Sequence, residues 1–448
     1  MCVDLGTAMS KASAWLGGDG RDSASVAPLP IGAAGGAEHP LLAPSAMYVD
    51  GSRLHLGSSA LQHARLSHSE GRSPIVSFKL ILAAPDVESA LALKLRRSVD
   101  PNSRLRYRDA LVVYLAYLDQ LIRAAIAAEQ SLPAELAEAP RRLTSPYWPA
   151  YQDAARLIGR LAEEAATVSA CLGGALTDPE GVSLEAIEAA LEQAEQAPAH
   201  GPFEGIVFES HAAASAYAHF ARSTAPFVLV VDMGAGTTDL AGFARDTGSA
   251  ASVLVEVDKA RQCSSLAGDE LDGILTDFIV GLVAPAKPDE KDRLWRAVHF
   301  SIRDLKRELF QKGTISVEHE GKRTIVERLA FEQNPSFKAF CRALTATIAD
   351  SLDPVFTRAK QERAKNVAML LAGGGANLPF LADLAKTAAA ACKPRLPLTV
   401  ERFGANWSLP HQHHPFAGMF PQMAISMGGA LADLVDHKSS SGADLAPA

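Results

Sequence analysis

Five consecutive apolar residues, 227–231, run into Asp232, then into Gly234 and Gly236, and apolar residues resume from Leu240. An unbroken apolar run of strand length predicts a strand buried on both faces, here delivering a carboxylate to a glycine turn and a returning strand. The same pattern opens the chain. Met1-Cys2-Val3 leads into Asp4-Leu5-Gly6-Thr7 and 11–16 predicts the return strand, although only three residues precede Asp4 and the first strand must be short. A third apolar run, 367–372, reaches Gly373-Gly374-Gly375 and predicts a strand, a turn and a helix.

Between these turns the pattern alternates between strand and helix. Residues 17–72 are rich in Gly, Pro, Ser and Ala with short apolar pieces, which predicts a small subdomain of short strands and loops. Leu111, Tyr114, Leu115, Leu118, Leu121 and Ile122 have helical spacing and predict an amphipathic helix over 108–130. A strand over 142–145 is expected next, then Pro146-Tyr147-Trp148 and a helix to about 165. Asp178-Pro179-Glu180-Gly181 is turn chemistry, and Leu184, Ile187 and Leu191 line one face of a Glu/Ala-rich packing helix that ends before Pro198. A strand over 205–208 ends at Glu209 and turns into a helix of small residues through Tyr217. Further expectations are a strand over 251–257, a helix starting at Gly268, a helix over 289–311 carrying Lys306 and Arg307, and a second small-residue helix over 425–432. The tail 438–448 reads as a disordered linker.

Composition narrows the class. The 448 residues suggest two or more domains or one large two-lobed body, and 48% hydrophobic with 21% charged residues is a globular profile. A formal net charge of −8 argues against a general nucleic-acid surface and against attachment to an anionic membrane. The five cysteines are scattered and contain no C-x-x-C pair, as expected for a reducing compartment. No signal peptide is visible and no run reaches the roughly 18 apolar residues of a membrane span, so the expected location is cytoplasmic.

The candidate chemistry is phosphate binding. Gly234 and Gly236 allow backbone angles that other residues avoid and let a phosphate touch the main chain, while Thr237, Thr238 and Asp239 add hydroxyls and a second carboxylate. Asp4 can hold a Mg²⁺ hydration shell, and Thr7 with its neighbouring amides can face a phosphate. One such turn alone could be an ordinary glycine hairpin; two, with a Gly-Gly-Gly turn besides, point to a nucleotide. Read from its neighbours, Lys79 is a solvated or snorkelling side chain, and Glu209 could be a helix N-terminal charge.

Taken together the motifs resemble the actin, sugar-kinase and heat-shock-chaperone ATPase superfamily. Asp4-Leu5-Gly6-Thr7 is similar to its first phosphate loop, 232–239 to its second, and 373–379 to its adenosine loop, while 209–217 and 426–432 resemble its two connecting helices. The resemblance implies an α/β, actin-like fold of two ribonuclease-H-like domains with a nucleotide cleft between them. Lobe I would span 1–225, with a small subdomain at 17–107 and a helical insertion at 166–202; lobe II would span 226–437, with a small subdomain at 258–335. Within the superfamily the sequence most resembles the nucleotide-binding domain of the seventy-kilodalton heat-shock chaperones, whose Glu-Pro-Thr-Ala-Ala-Ala-x-Ala-Tyr pattern is similar to 209–217 with Ser-His for Pro-Thr. That family's Val-Pro-Ala-Tyr segment is echoed by Ser145-Pro146-Tyr147-Trp148.

Carried over residue by residue, the resemblance makes Lys79, Glu209 and Asp232 catalytic, with Asp4 and Asp232 holding Mg²⁺ through water. The nucleotide, ATP or ADP, would touch Asp4, Gly6, Thr7, Gly234, Gly236, Thr237, Thr238, Gly268, Lys306, Arg307, Gly373, Gly374, Gly375 and Asn377. Arg303 stands where the family has an adenine-contacting Glu, Asn377 replaces the Arg of its adenosine loop, and the stretch between Pro146 and Glu209 is longer. Residues 438–448 cannot form the client-binding domain of a chaperone. The expected function is therefore a slowly hydrolysing, Mg-dependent ATPase that works as a chaperone-like switch read by a protein partner. A filament-forming actin-like ATPase, a nucleotide-binding scaffold with little hydrolysis and a small-molecule kinase are the alternatives.

Overall fold

The computed structural model describes residues 1–17, 25–67, 72–147, 151–197, 201–246, 254–285, 287–407, 416 and 418–435. Trp148, the expected strand positions 251–253 and the expected tail 438–448 lie outside the described residues. The fold is mixed α/β and divides into two compact units, Met1–Thr224 with Gly404–Val435, and Ala225–Phe403.

In the first unit the main sheet runs, in spatial order, Val26–Leu29, Met9–Trp15, Cys2–Asp4, Arg141–Ser145 and Phe203–Phe208. Cys2–Asp4 is antiparallel to Met9–Trp15 and parallel to Arg141–Ser145, which is parallel to Phe203–Phe208. The second unit repeats this order and these directions with Leu254–Glu256, Thr238–Arg245, Phe227–Met233, Val367–Ala372 and Leu398–Arg402. All seven residues of Phe227–Met233 are buried, which is why the strand is apolar without alternation. The helix Pro335–Gln361 lies on this sheet through Leu344, Ile348, Leu352, Val355 and Phe356. Gly242 permits the close approach, because a Cβ there would strike the Val355 side chain.

The first unit carries a second, four-stranded sheet of Ile75–Val76, Ala46–Asp50, Arg53–Leu56 and Val182–Ser183. This differs from the expected subdomain 17–107 at both ends. Val26–Leu29 joins the main sheet, and the insertion supplies the edge strand Val182–Ser183. A helix, Gly57–Ser67, occupies a stretch expected to hold only short strands and loops, packing Ala60 and Ala64 inward. Arg104 ties the insertion helix Leu184–Gln196 to the subdomain through Glu188 at 2.5 Å, and Arg108, in the helix Tyr107–Ala128, holds the helix Tyr151–Leu172 through Glu164 at 2.5 Å. The helix Tyr151–Leu172 continues seven residues past its expected end at 165.

Tyr107–Ala128 is long and apolar enough to cross a membrane, but 67% of its apolar window is buried within the protein, as in a core helix. The two small-residue helices, Glu209–Phe220 and Phe420–Gly429, pack on each other so closely that a Cβ on Gly428 would strike the Ala212 carbonyl. Placing 404–435 in the second lobe is therefore corrected: Gly404–Val435 packs with the first unit. Ser13 and Ser426 hydroxyls meet at 2.9 Å, and Arg142 donates to the Leu431 carbonyl at 2.7 Å.

Candidate functional site

In the first hairpin the chain leaves Cys2–Asp4 through Gly6, whose N–H donates to the Asp4 carbonyl at 3.0 Å. Only glycine fits there, since a Cβ would overlap the Met9 carbonyl and lie 3.2 Å from the Lys11 ammonium. The antiparallel register sets Asp4 opposite Lys11, and the Lys11 Nζ stands 2.6 Å from Asp4 Oδ2. The Thr144 hydroxyl donates to Asp4 Oδ1 at 2.9 Å, so the buried carboxylate is met on both oxygens. Thr7 is half-buried at the turn, and Ser45 donates to the Gly6 carbonyl at 2.7 Å. Burial, helped by the Asp4 charge, pushes the neighbouring Cys2 thiol up to about 12.

Lys79 lies in the 3₁₀ turn Phe78–Ala83, entered through Ser77 in the left-handed region at φ 57°. Its ammonium reaches Glu209 Oε1 at 2.5 Å, and both side chains are buried. Glu209 is the first residue of its helix, where the dipole favours an anion, and it directly follows the strand Phe203–Phe208. Asp4, Ser145 and Phe208 thus end three neighbouring parallel strands, and ligands of open α/β sheets gather at such carboxyl ends.

The second hairpin is latched to a helix. Gly234 N–H closes the turn on the Thr237 carbonyl at 2.8 Å, while the Gly234 and Ala235 carbonyls accept from Gly268 N–H at 3.1 Å and Asp269 N–H at 2.6 Å. Gly268 opens the helix Gly268–Val283 against the turn, where a Cβ would press on Ala235 Cα at 3.1 Å. The register places Asp232 opposite Asp239, both buried. Asp232 is also paired with Ala372, so the third glycine turn begins beside it. Gly373 has φ 76°, and a Cβ on it would strike the Asp232 carboxylate; one on Gly375 would strike the Met233 side chain.

Each expected site residue can now be placed within its own unit. Asp4, Gly6 and Thr7 share one hairpin, and Lys79 meets Glu209. Asp232, Gly234, Gly236, Thr237, Gly268 and Gly373 to Gly375 gather about the second. Thr238 is fully buried and its hydroxyl donates to the Leu266 carbonyl at 2.7 Å. Lys306 pairs with Asp272 at 2.7 Å and reaches the Gly268 carbonyl at 3.3 Å, whereas Arg307 is exposed and pairs with Asp304 at 2.8 Å. Arg303 sits on Asp269 at 3.0 Å, and Asn377 is exposed.

The motif reading missed Lys11 and Thr144. Lys11 had a signal: it follows Asp4 by the seven residues that separate Asp239 from Asp232, so equivalent hairpins bring both back opposite a strand-end carboxylate. No protein-family model matches the chain, and no curated protein is significantly similar to it.

Proposed function

We propose that the chain is an actin-like, Mg-dependent ATPase with one phosphate hairpin in each unit, and that it works as a chaperone-like conformational switch. The observation that carries this reading is the repeat: two sheets of identical order and direction, each with an Asp at the end of its central strand beside a glycine turn. The arrangement of the residues around each Asp divides the labour. Asp4 is paired with Lys11 at 2.6 Å, and Asp232 stands opposite Asp239 in the strand register, two carboxylates on one strand pair beside the glycine turn. Asp232 and Asp239 would therefore hold hydrated Mg²⁺, with Asp4 orienting Lys11 toward phosphate. Bound Mg²⁺ would neutralise phosphate charge.

Thr7, Thr237 and the turn amides would bind phosphate oxygens. Lys79 would stabilise charge on the transferred group, and Glu209 would both hold Lys79 in place and orient the attacking water. ATP and ADP would favour different conformations, which a protein partner would read. The buried Lys79–Glu209 pair also supports a second reading, a nucleotide-binding scaffold with little hydrolysis, because each group already occupies the other.

Calorimetry with ATP and Mg²⁺, followed by single-turnover phosphate release, separates the readings. Lys79→Ala is expected to keep ATP binding and lose hydrolysis, and Asp239→Asn to weaken the Mg²⁺ dependence of binding. Absence of any ATP binding by the wild-type chain refutes the proposal; binding without turnover leaves the scaffold.

A further inference from the structure

Away from both hairpins, the small subdomain of the first unit brings Asp50, His55 and His63 together, one potential ligand atom from each lying within 4.8 Å of the others. Three elements converge here: Asp50 ends the strand Ala46–Asp50, His55 lies on the returning strand Arg53–Leu56, and His63 is on the helix Gly57–Ser67. The two imidazoles stack with centroids 3.6 Å apart and planes 20° from parallel. In-plane lone pairs of two stacked rings do not converge, so His63 turns out of the stack when the two share an ion.

The tautomer of His55 is fixed by its surroundings. Ser59 gives its single hydroxyl proton to the Pro179 carbonyl at 2.6 Å, so toward His55 Nδ1, 3.1 Å away, it can only accept. Nδ1 therefore carries the hydrogen and Nε2 keeps its lone pair. An imidazole whose other N–H is anchored in this way is the usual outer shell of a metal-bound histidine. Gly181, at φ 76°, lets the 178–181 loop close on the ring, for a Cβ there would lie 2.9 Å from His55 Nδ1.

The second contact has the spacing of two ligands of one ion. His63 Nδ1 and Asp50 Oδ2 are 3.5 Å apart, beyond the 2.7–3.2 Å of a good hydrogen bond. Two atoms at about 2.1 Å from a tetrahedral ion stand roughly 3.4 Å apart. Side-chain exposures of 33% for His63 and 52% for Asp50 leave both free to rotate inward and leave the ion a path from solvent.

We infer that Asp50, His55 and His63 form a binding site for a divalent transition-metal ion of the Zn²⁺ class, with the fourth position open to water. Two imidazoles and one carboxylate select such an ion over Mg²⁺ or Ca²⁺, which take oxygen ligands. The ion would clamp the 46–56 hairpin to the helix Gly57–Ser67, so its effect is read in the subdomain and not through nucleotide.

The test uses the full chain, stripped with chelator and titrated with Co²⁺ by absorption and with Zn²⁺ by calorimetry. The wild type is expected to develop the intense visible bands of four-coordinate Co²⁺ and to lose them to Zn²⁺. His63→Ala and Asp50→Asn change a half-buried and an exposed side chain at the edge of the subdomain, and each is expected to weaken Zn²⁺ by more than about tenfold and to abolish the bands while the far-ultraviolet circular dichroism stays that of wild type. His411, His413 and His414 are near neighbours in sequence and can take up Zn²⁺ by themselves, so total stoichiometry decides nothing. Wild-type affinity and spectrum in both variants would place the ion elsewhere and overturn the inference, as would a wild type that shows no four-coordinate Co²⁺ spectrum.

Discussion

Replacing Lys79 by Ala tests a deeply buried ion pair of the first unit. Lys79 and Glu209 side chains are 4% and 7% exposed and their charged atoms are 2.5 Å apart. Deleting the lysine leaves a carboxylate buried without its cation, and breaking a buried pair in this way costs about 3–5 kcal/mol. For a unit of this size each kcal/mol moves Tm by about 2–4 °C, so the expected fall is roughly 6–20 °C. Changing Glu209 to Gln in the same chain removes the stranded charge and leaves a smaller penalty of about 1–3 kcal/mol for the imperfectly bonded amide. Lys79→Ala/Glu209→Gln is accordingly expected to melt several degrees above Lys79→Ala. Thermal unfolding of the two single variants and the double variant completes a cycle whose interaction energy isolates the pair. A Lys79→Ala chain melting within about 2 °C of wild type, together with additive single effects, would show that water reaches the pair, and the burial argument would fail.

Cys2 makes a pH prediction. Its thiol, ordinarily near 9.0, is pushed up to about 12 by burial, then by Asp4, so the folded chain holds it neutral while the unfolded chain ionises it from pH 9. Its contribution is fully present below pH 9 and is lost as pH rises toward 12, amounting to on the order of 4 kcal/mol at about 1.36 kcal/mol per unit. Thermal melts from pH 8 to 12 should therefore fall more steeply for wild type than for Cys2→Ala; parallel slopes would refute it. Gly373→Ala is expected to cost about 1–3 kcal/mol from its backbone at φ 76° and ψ −179° alone, with more from the clash with Asp232, and to weaken ATP binding in calorimetry. Arg104→Ala frees Glu185 and Glu188 of the insertion, and limited proteolysis should then cut near the helix Leu184–Gln196 sooner than in wild type.

Strands buried on both faces were the most legible part of the chain. The apolar run 227–231 could hardly be anything else, and Val367–Ala372 has the bounds its pattern implies, because total burial removes the alternation that makes strand ends ambiguous. Local chemistry told where one helix begins, since Gly268 starts the helix expected of it, whereas the helix expected over 425–432 runs Phe420–Gly429. Long-range pairings were not legible. Nothing in Val182-Ser183 announces that it will pair with Arg53–Leu56, since a two-residue strand carries no period, and its partner lies over a hundred residues away. Nor does the small-residue run 425–432 say which unit it joins; that depends on Gly428 meeting Ala212 at a distance only two small residues allow.

The equivalent hairpins differ in charge where their motifs look alike. Asp-x-Gly-Thr and Asp-x-Gly-x-Gly-Thr look alike up to the turn, and both led to a metal-binding carboxylate. The difference lies on the return strands, seven residues after each Asp, where one hairpin has Lys11 and the other Asp239. Antiparallel pairing turns that interval into direct opposition, so the first hairpin carries a balanced pair and the second two carboxylates. A hydrated dication gains less beside a carboxylate already 2.6 Å from an ammonium, since attraction scales with the charge it meets. An anion has the opposite preference. If the proposed nucleotide binds, its metal should therefore follow Asp232 and Asp239 and its phosphate charge should follow Lys11. Lys11→Met should then raise the Kd for ATP while leaving the Mg²⁺ concentration needed for half-maximal binding nearly unchanged, and an equal loss in both would put the metal back at Asp4.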